Sequence, residues 1–362
     1  MKHRTAKLLA LSLALLLGLS ALAACGKTDP ETPTTTAPPT TEKVKTPVLS
    51  PATAKIALLL CDAEMKSGSA RAAWTVLEKF SKETGIALKW WMLPTSQDIQ
   101  NELDGIVADG YNIIVTNNGM HCAYIKERCK ALKDVTFVAM EGFFGKKGED
   151  LSGYPNLIQG TVRAEESAFI AGYLLAKKTE TGRIGLLNGT KNPPGIQMEA
   201  GFTAGVEYAA KEMQRVIEMR VEYAGNGYNR TKGQDTARLL YNSGCDIIYC
   251  SAGGETDWGA LEIAKELNKP VVTAGHTSYI APGSVVAEVL KSKDPVLTEI
   301  INGLYYGTMK GGQILDHGLT DGTAGFAKTA LTDEFFGAEI LAQLDAVIEK
   351  IKNNEIVIPQ AI

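Results

Sequence analysis

The chain has 362 residues, with 37 Lys and Arg against 41 Asp and Glu, a formal net charge of −4. Apolar residues make up 45% and charged residues 22%, close to the globular average, which excludes a disordered chain, a collagen-like repeat and a polytopic membrane protein. The mild acidity argues against a broad nucleic-acid-binding face, and at roughly 150 residues per domain the length allows about two domains.

Lys2, His3, Arg4 and Lys7 form a basic start, and residues 8–24 are an uncharged Leu/Ala-rich run. The run ends in Leu22-Ala23-Ala24-Cys25-Gly26, which resembles the lipobox of bacterial lipoproteins. The resemblance implies a signal peptide over residues 1–24 and a diacylated Cys25 as mature N-terminus. Two acyl chains anchor a protein stably where one does not. Residues 27–51 carry eight Thr and six Pro, a composition that stays extended, so residues 25–52 read as a tether. Without Lys2, Arg4 and Lys7, 34 basic side chains face 41 acidic ones, a balance of −7. The expectation is an acidic body, lipid-anchored to the cell membrane and facing outside the cytoplasm.

From Lys55 short apolar runs alternate with amphipathic segments. Residues 55–61, 86–91, 112–116 and 136–140 read as strands, and residues 69–84, 96–109 and 122–132 as helices, with Ser96 an N-cap candidate. A second series has strands at 183–187, 220–223, 246–249, 270–273 and 284–287. Its helices are 164–178, 196–213, 231–243 and 256–267, and a closing helix covers 338–353. Continuous apolar strands between helices predict parallel sheets covered on both faces, in two doubly wound α/β lobes; an eight-fold barrel is the alternative. Cys122 and Cys129 lie about 10 Å apart by helical rise, too far for a disulfide. Cys245 and Cys250 flank a strand and are expected on opposite faces. With Cys61 they read as small buried residues, and four scattered histidines suggest no metal site.

In open parallel sheets the ligand lies beyond the C-terminal strand ends. Asp62, Glu64 and Ser69 follow the first strand, Asn118 and Gly119 the third, and Glu141 and Phe143 the fourth. In the second series the corresponding residues are Asn188, then Gly253, Gly254 and Trp258, then His276. Short polar groups, glycines and two aromatic planes suit a small polar, ring-bearing ligand. No Gly-x-Ser-x-Gly elbow or phosphate-binding Gly-x-x-x-x-Gly-Lys-Ser/Thr occurs, and no carboxylate is placed to orient His276, so the expectation is a non-enzyme without cofactor or metal.

The stretch from Arg163 through Glu165-Glu166-Ser167 and Gly172-Tyr173 to Arg183-Ile184-Gly185-Leu186-Leu187-Asn188-Gly189 resembles the basic membrane protein family of substrate-binding lipoproteins. Glu199-Ala200-Gly201-Phe202-Thr203-Ala204-Gly205-Val206, Tyr223-Ala224-Gly225, Ala252-Gly253-Gly254, Pro282-Gly283-Ser284-Val285 and Lys291 extend the likeness. It implies a type I periplasmic-binding-protein fold, two lobes joined by three crossovers, with residues 53–161 and 288–320 in one and 162–287 and 321–362 in the other. It also implies a monomeric receptor of an ABC importer, with permease and ATPase partners and a purine nucleoside as solute. Lys291 matches the family's lysine near the ribose, and Gly253-Gly254 its glycine pair. The family's stacking aromatic before the first helix is missing from Lys66-Ser67-Gly68-Ser69-Ala70-Arg71. Its Val-Asp reads Ala274-Gly275-His276 here, and Glu141 stands for its Asp. Trp258, Phe143 and Tyr228 are replacement planes. A sensory binding protein and a surface adhesin are the alternatives on this scaffold.

Overall fold

The computed structural model describes residues 45–61, 68–117, 119–141, 151–275 and 278–360. Strands β1 (Lys55–Leu60), β2 (Ala87–Met92), β3 (Ile113–Thr116), β4 (Thr136–Met140) and β5 (Leu157–Val162) alternate with helices α1 (Gly68–Thr84), α2 (Ser96–Ala108) and α3 (Gly119–Cys129). After α4 (Ala164–Lys178) come β6 (Arg183–Asn188), α5 (Pro193–Met213), β7 (Glu218–Tyr223), α6 (Arg230–Asn242), β8 (Ile247–Ser251), α7 (Gly254–Glu266), β9 (Val271–Ala274) and β10 (Val285–Lys291). The chain then forms α8 (Asp294–Tyr305), β11 (Gln313–His317), β12 (Ala324–Ala327) and α9 (Thr332–Lys352).

Two six-stranded sheets result, in the orders β11-β5-β4-β3-β1-β2 and β12-β10-β9-β8-β6-β7. All pairings are parallel except that β12 runs antiparallel to β10. The central strands β1, β3, β4, β6 and β8 are buried on both faces, which is why they read as unbroken apolar runs. The chain passes between the sheets after β5, after β10 and after β11. This is the doubly wound, three-crossover architecture expected.

Several boundaries differ from the pattern reading. Strand β10 runs on to Lys291 rather than stopping at Ala287, so the second crossover leaves later than expected. Glu288 interrupts the apolar run, yet it is buried and accepts a hydrogen bond from the Ser278 N–H at 2.7 Å. Strand β11 was hidden because Asp316 and His317 end it between glycines. Thr95, not Ser96, caps α2, because Asp98 at the third helical position completes a reciprocal box with it (3.2 and 2.9 Å). Helix α9 begins at Thr332 and continues across a non-helical Gly337.

Helix α4 is buried from Ala164 through Ala176, which its lack of a polar stripe requires. It packs on α5 at backbone distance. A Cβ on Gly201 would sit 2.2 Å from the Glu165 carbonyl oxygen, and one on Gly205 2.1 Å from that of Phe169.

Cys61, Cys122, Cys129, Cys245 and Cys250 are not joined in disulfides. Cys61 is only half-buried, whereas the other four are buried. Cys245 and Cys250 join one core cluster with Tyr241 instead of lying on opposite faces. The alternation argument fails because β8 begins at Ile247, after Cys245.

Candidate functional site

The end of β4 carries Glu141, in the left-handed region at φ 61°. A non-glycine residue held there costs about 1–3 kcal/mol and persists only when its surroundings fix it. Here the Glu141 N–H donates to the Gly160 carbonyl at 2.7 Å, and the side chain is gripped by two lysines. Lys293 Nζ stands 2.9 Å from Oε2, and Lys291 Nζ pairs with Oε1. Burial alone would push this carboxyl up, but the two ammonium groups outweigh it and hold the group well below the usual range. Lys291 ends β10 and Lys293 precedes α8, so a strand end of the first sheet is tied to the second crossover. Gly119 lies against the same point: a Cβ there would be 3.2 Å from the Glu141 carbonyl oxygen.

Behind these ends the fully buried His121 of α3 joins three strands. Its Nε2 is 2.7 Å from the Leu93 carbonyl oxygen, just after β2, and its Nδ1 is 3.0 Å from Thr116 Oγ1 at the end of β3. A carbonyl only accepts, so Nε2 carries the proton and Nδ1 accepts from the threonine hydroxyl. Cys61 Sγ, just after β1, is 3.2 Å from the same Nε2. Nε2 is a donor, and Nδ1, 3.9 Å from Sγ, is taken up by the Thr116 hydroxyl, so the imidazole is not placed to serve as the base of Cys61. Burial lowers the His121 pKa, and burial pushes the neighbouring Cys122 thiol up to about 12, with Glu141 and Cys61 adding to it. Neither is an activated acid–base group.

In the second sheet a buried carboxylate shapes the loop after β8. Asp257 accepts the backbone N–H groups of Ala252 and Gly253, both at 2.9 Å. Burial pushes its carboxyl up to about 7, against those two hydrogen bonds. Gly253 and Gly254 take φ values of 88° and 46°, which a side chain would strain. Thr256 Oγ1 donates to the Asn226 carbonyl at 2.9 Å and accepts the Asn229 N–H at 3.0 Å, joining the loops after β7 and β8. Trp258 is half-buried on α7, and Tyr228 stands exposed in the neighbouring loop.

The first and third crossovers are joined by Arg163. Its Nε lies 2.6 Å from Glu166 Oε1, and its terminal nitrogens lie 3.8 Å from Asp316 and 3.9 Å from Asp321. The Arg163 N–H donates to the His317 carbonyl at 2.7 Å, and the Leu319 N–H to Glu166 Oε2 at 2.6 Å.

Of the residues expected at the site, Glu141 and Lys291 meet directly, with Gly119 beside them. Gly253, Gly254 and Trp258 share one loop–helix junction. Asn188, buried at the end of β6, spends its side chain within its own lobe: Nδ2 donates to the Gly195 carbonyl at 2.8 Å and Oδ1 accepts the Gly189 N–H at 2.9 Å. Ser69 lies in the first turn of α1. Asp62, Glu64, Asn118, Phe143, His276 and the lipidation residue Cys25 lie outside the described residues. Sequence reasoning missed Lys293, His121 and Asp257. The Lys-x-Lys spacing after an apolar strand was a usable signal for Lys293; nothing local marked the other two. Among the described residues no group of three or more His, Cys, Asp or Glu is placed to hold a metal ion.

Comparison with known proteins places this geometry in context. The model of the Bmp family, described as ABC transporter substrate-binding protein PnrA-like, matches residues 54–361. Basic membrane protein A of Borreliella afzelii is 33% identical over 208 residues, 56% of this chain and 62% of that protein. Basic membrane protein B of Borreliella burgdorferi is 32% identical over 218 residues, 59% of this chain and 60% of its own. The chain thus spans about three fifths of the length of these relatives. A solute-binding protein of an ABC transporter system from Aeropyrum pernix K1 superposes with a TM-score of 0.74 at 18% identity, covering 85% of this chain and 94% of that one. That likeness shows the fold.

Proposed function

The chain belongs to the Bmp family of PnrA-like ABC transporter substrate-binding proteins, and on that premise we propose that it is the solute receptor of an importer. It binds a small solute between the C-terminal ends of the two sheets, closes its lobes, and presents the closed form to a membrane permease and its ATPase. The solute is a nucleoside or a related heterocycle. One observation carries the reading: Glu141 from the first sheet and Lys291 from the second meet where the strand ends of both sheets converge on a crossover. A polar group of a solute entering there would find a cation and a carboxylate already positioned, at little reorganisation cost.

The Gly253-Gly254 loop, held from below by Asp257, supports close approach of a ligand to backbone N–H groups. Trp258 and Tyr228 are the described aromatics able to serve as a stacking plane for a base. The role is binding without catalysis: the imidazole nearest a thiol, His121, has both nitrogens committed to protein oxygens. The mature chain is anchored by acyl groups on Cys25 and works as a monomer on the outer side of the cell membrane. Among the described residues no helix is long and apolar enough to cross a membrane.

Isothermal titration against purine and pyrimidine nucleosides, free bases and sugars tests the solute class. A saturable heat for a nucleoside, lost in Lys291→Met, is expected. Silence across the panel at millimolar ligand overturns the nucleoside assignment.

A further inference from the structure

Four carboxylates gather around the crossovers, and three of them share the Arg163 guanidinium. Glu166, Asp316 and Asp321 are its ion-pair partners. Glu165, the next residue of α4, is not. It is 1% exposed, its Oε1 accepts a long 3.3 Å hydrogen bond from Gln360 Nε2, and its Oε2 is buried without a hydrogen-bond partner. Gln360 belongs to the C-terminal tail that follows α9, and Ile358 of that tail is buried in the same core cluster as α4.

The groups facing Glu165 come from several elements. Glu166 from its own turn and Asp316 from β11 act on it directly, while Arg163, His317 and Asp321 belong to the ion network around those two. From β10, Lys291 is committed to Glu141. Helix α5 places Gly201 against the Glu165 backbone, with the uncharged, buried Gln197 one turn earlier. Its charged Glu199 and Glu207 line, with Lys191 and Pro359, a groove of about 460 Å³. Helix α9 shares the core cluster of α4 through apolar Phe336, Leu341 and Leu344. No cation is paired with Glu165 among the described residues.

We propose that Glu165 is a proton-operated catch on the hinge: buried under the tail without a cation, it stays closed while neutral, and ionisation favours the open arrangement in which water reaches the carboxylate. Burial, with Asp316 and Glu166 beside it, pushes its carboxyl up to about 7 against hydrogen bonds from its own backbone and from Gln360, so the catch works near neutral pH. Closure about these crossovers belongs to the solute-receptor reading above, on which this regulation rests. The test needs no solute, so either can fail alone.

The measurement is hydrogen exchange of the Arg163 and Leu319 amides in the full chain between pH 6 and 8, corrected for intrinsic exchange. Glu165 passes from about nine-tenths neutral to about one-tenth across that range, so local opening increases about tenfold. Glu165→Gln flattens this rise. Gln360→Ala, at the periphery, removes a bond that favours the charged form and moves the rise to higher pH, which keeps the idea testable if the first variant fails to fold. A flat wild-type profile, an undiminished rise in Glu165→Gln, or an unmoved rise in Gln360→Ala overturns the proposal.

Discussion

Lys293 Nζ lies 2.9 Å from Glu141 Oε2, so the residue that precedes α8 grips the end of β4 in the middle of the first sheet. With Lys291 on the other oxygen, the second crossover is fastened on both sides of Ser292. One carboxylate therefore sets where the chain leaves one sheet and where it lands on the other.

Glu141→Gln keeps the shape and removes the charge, leaving two half-buried ammonium groups facing an amide. Breaking a buried pair on one side costs about 3–5 kcal/mol, and urea unfolding should report a loss in that range. Lys291→Met should cost less, because Lys293 remains. The Glu141 carboxyl is depressed in the folded chain, so its contribution is fully present above the ordinary value of 4.5 and lost as pH falls below it. The gap between wild type and Glu141→Gln should close on acidification; a gap independent of pH would show that the ion pairs contribute nothing.

His121 is held neutral, its pKa lowered by burial from 6.5. Its contribution is present above pH 6.5 and is lost as pH falls below that value. His121→Leu removes this pH dependence and takes the imidazole donor from the Leu93 carbonyl. A buried group that loses its partner costs about 1–3 kcal/mol, so chemical unfolding at pH 8 should show a loss of at least about 1 kcal/mol.

Gly205→Ala separates two opposing effects. Helix propensity alone favours alanine by about 1 kcal/mol. The added Cβ would sit 2.1 Å from the Phe169 carbonyl oxygen, so α4 and α5 must move apart. Overpacking of this kind costs about 1–3 kcal/mol, and a lowered melting temperature is expected; a raised one would mean the helices separate freely.

Cys25→Ser tests the proposed lipid anchor by removing its acyl acceptor. Expressed in a bacterium that processes lipoproteins, the variant should leave the detergent phase in a phase-partition assay, where the native chain stays. Retention of the variant in the detergent phase would place the anchor elsewhere.

How much of this was legible beforehand follows from the physics of each signal. Leu58, Ile114, Val138 and Leu186 announce buried parallel strands because a strand covered on both faces needs an unbroken apolar run. The same logic hid β11, where polar residues occupy a half-buried edge. Glu141 was singled out because ligand sites follow strand ends, a rule of topology, and Lys291 because it matches a lysine of the resembled family; their pairing with each other was not foreseen. His121 and Asp257 act from behind, through hydrogen bonds to Leu93, Thr116, Ala252 and Gly253. Distances of that kind arise only on folding, and Asp257 looks in sequence like any acidic residue in the first turn of a helix.

Strand β11 closes the edge of the first sheet against β5, yet it is separated from it by the whole of the second sheet except β12. No single cut in the chain therefore frees either sheet without a strand of the other. During synthesis or export from the N-terminus, β5 exposes an unpaired edge until residues 313–317 emerge. The first sheet is then the earlier to begin and nearly the last to be finished. A fragment ending before Gln313 should show this as association through that bare edge, the ordinary fate of an uncovered strand.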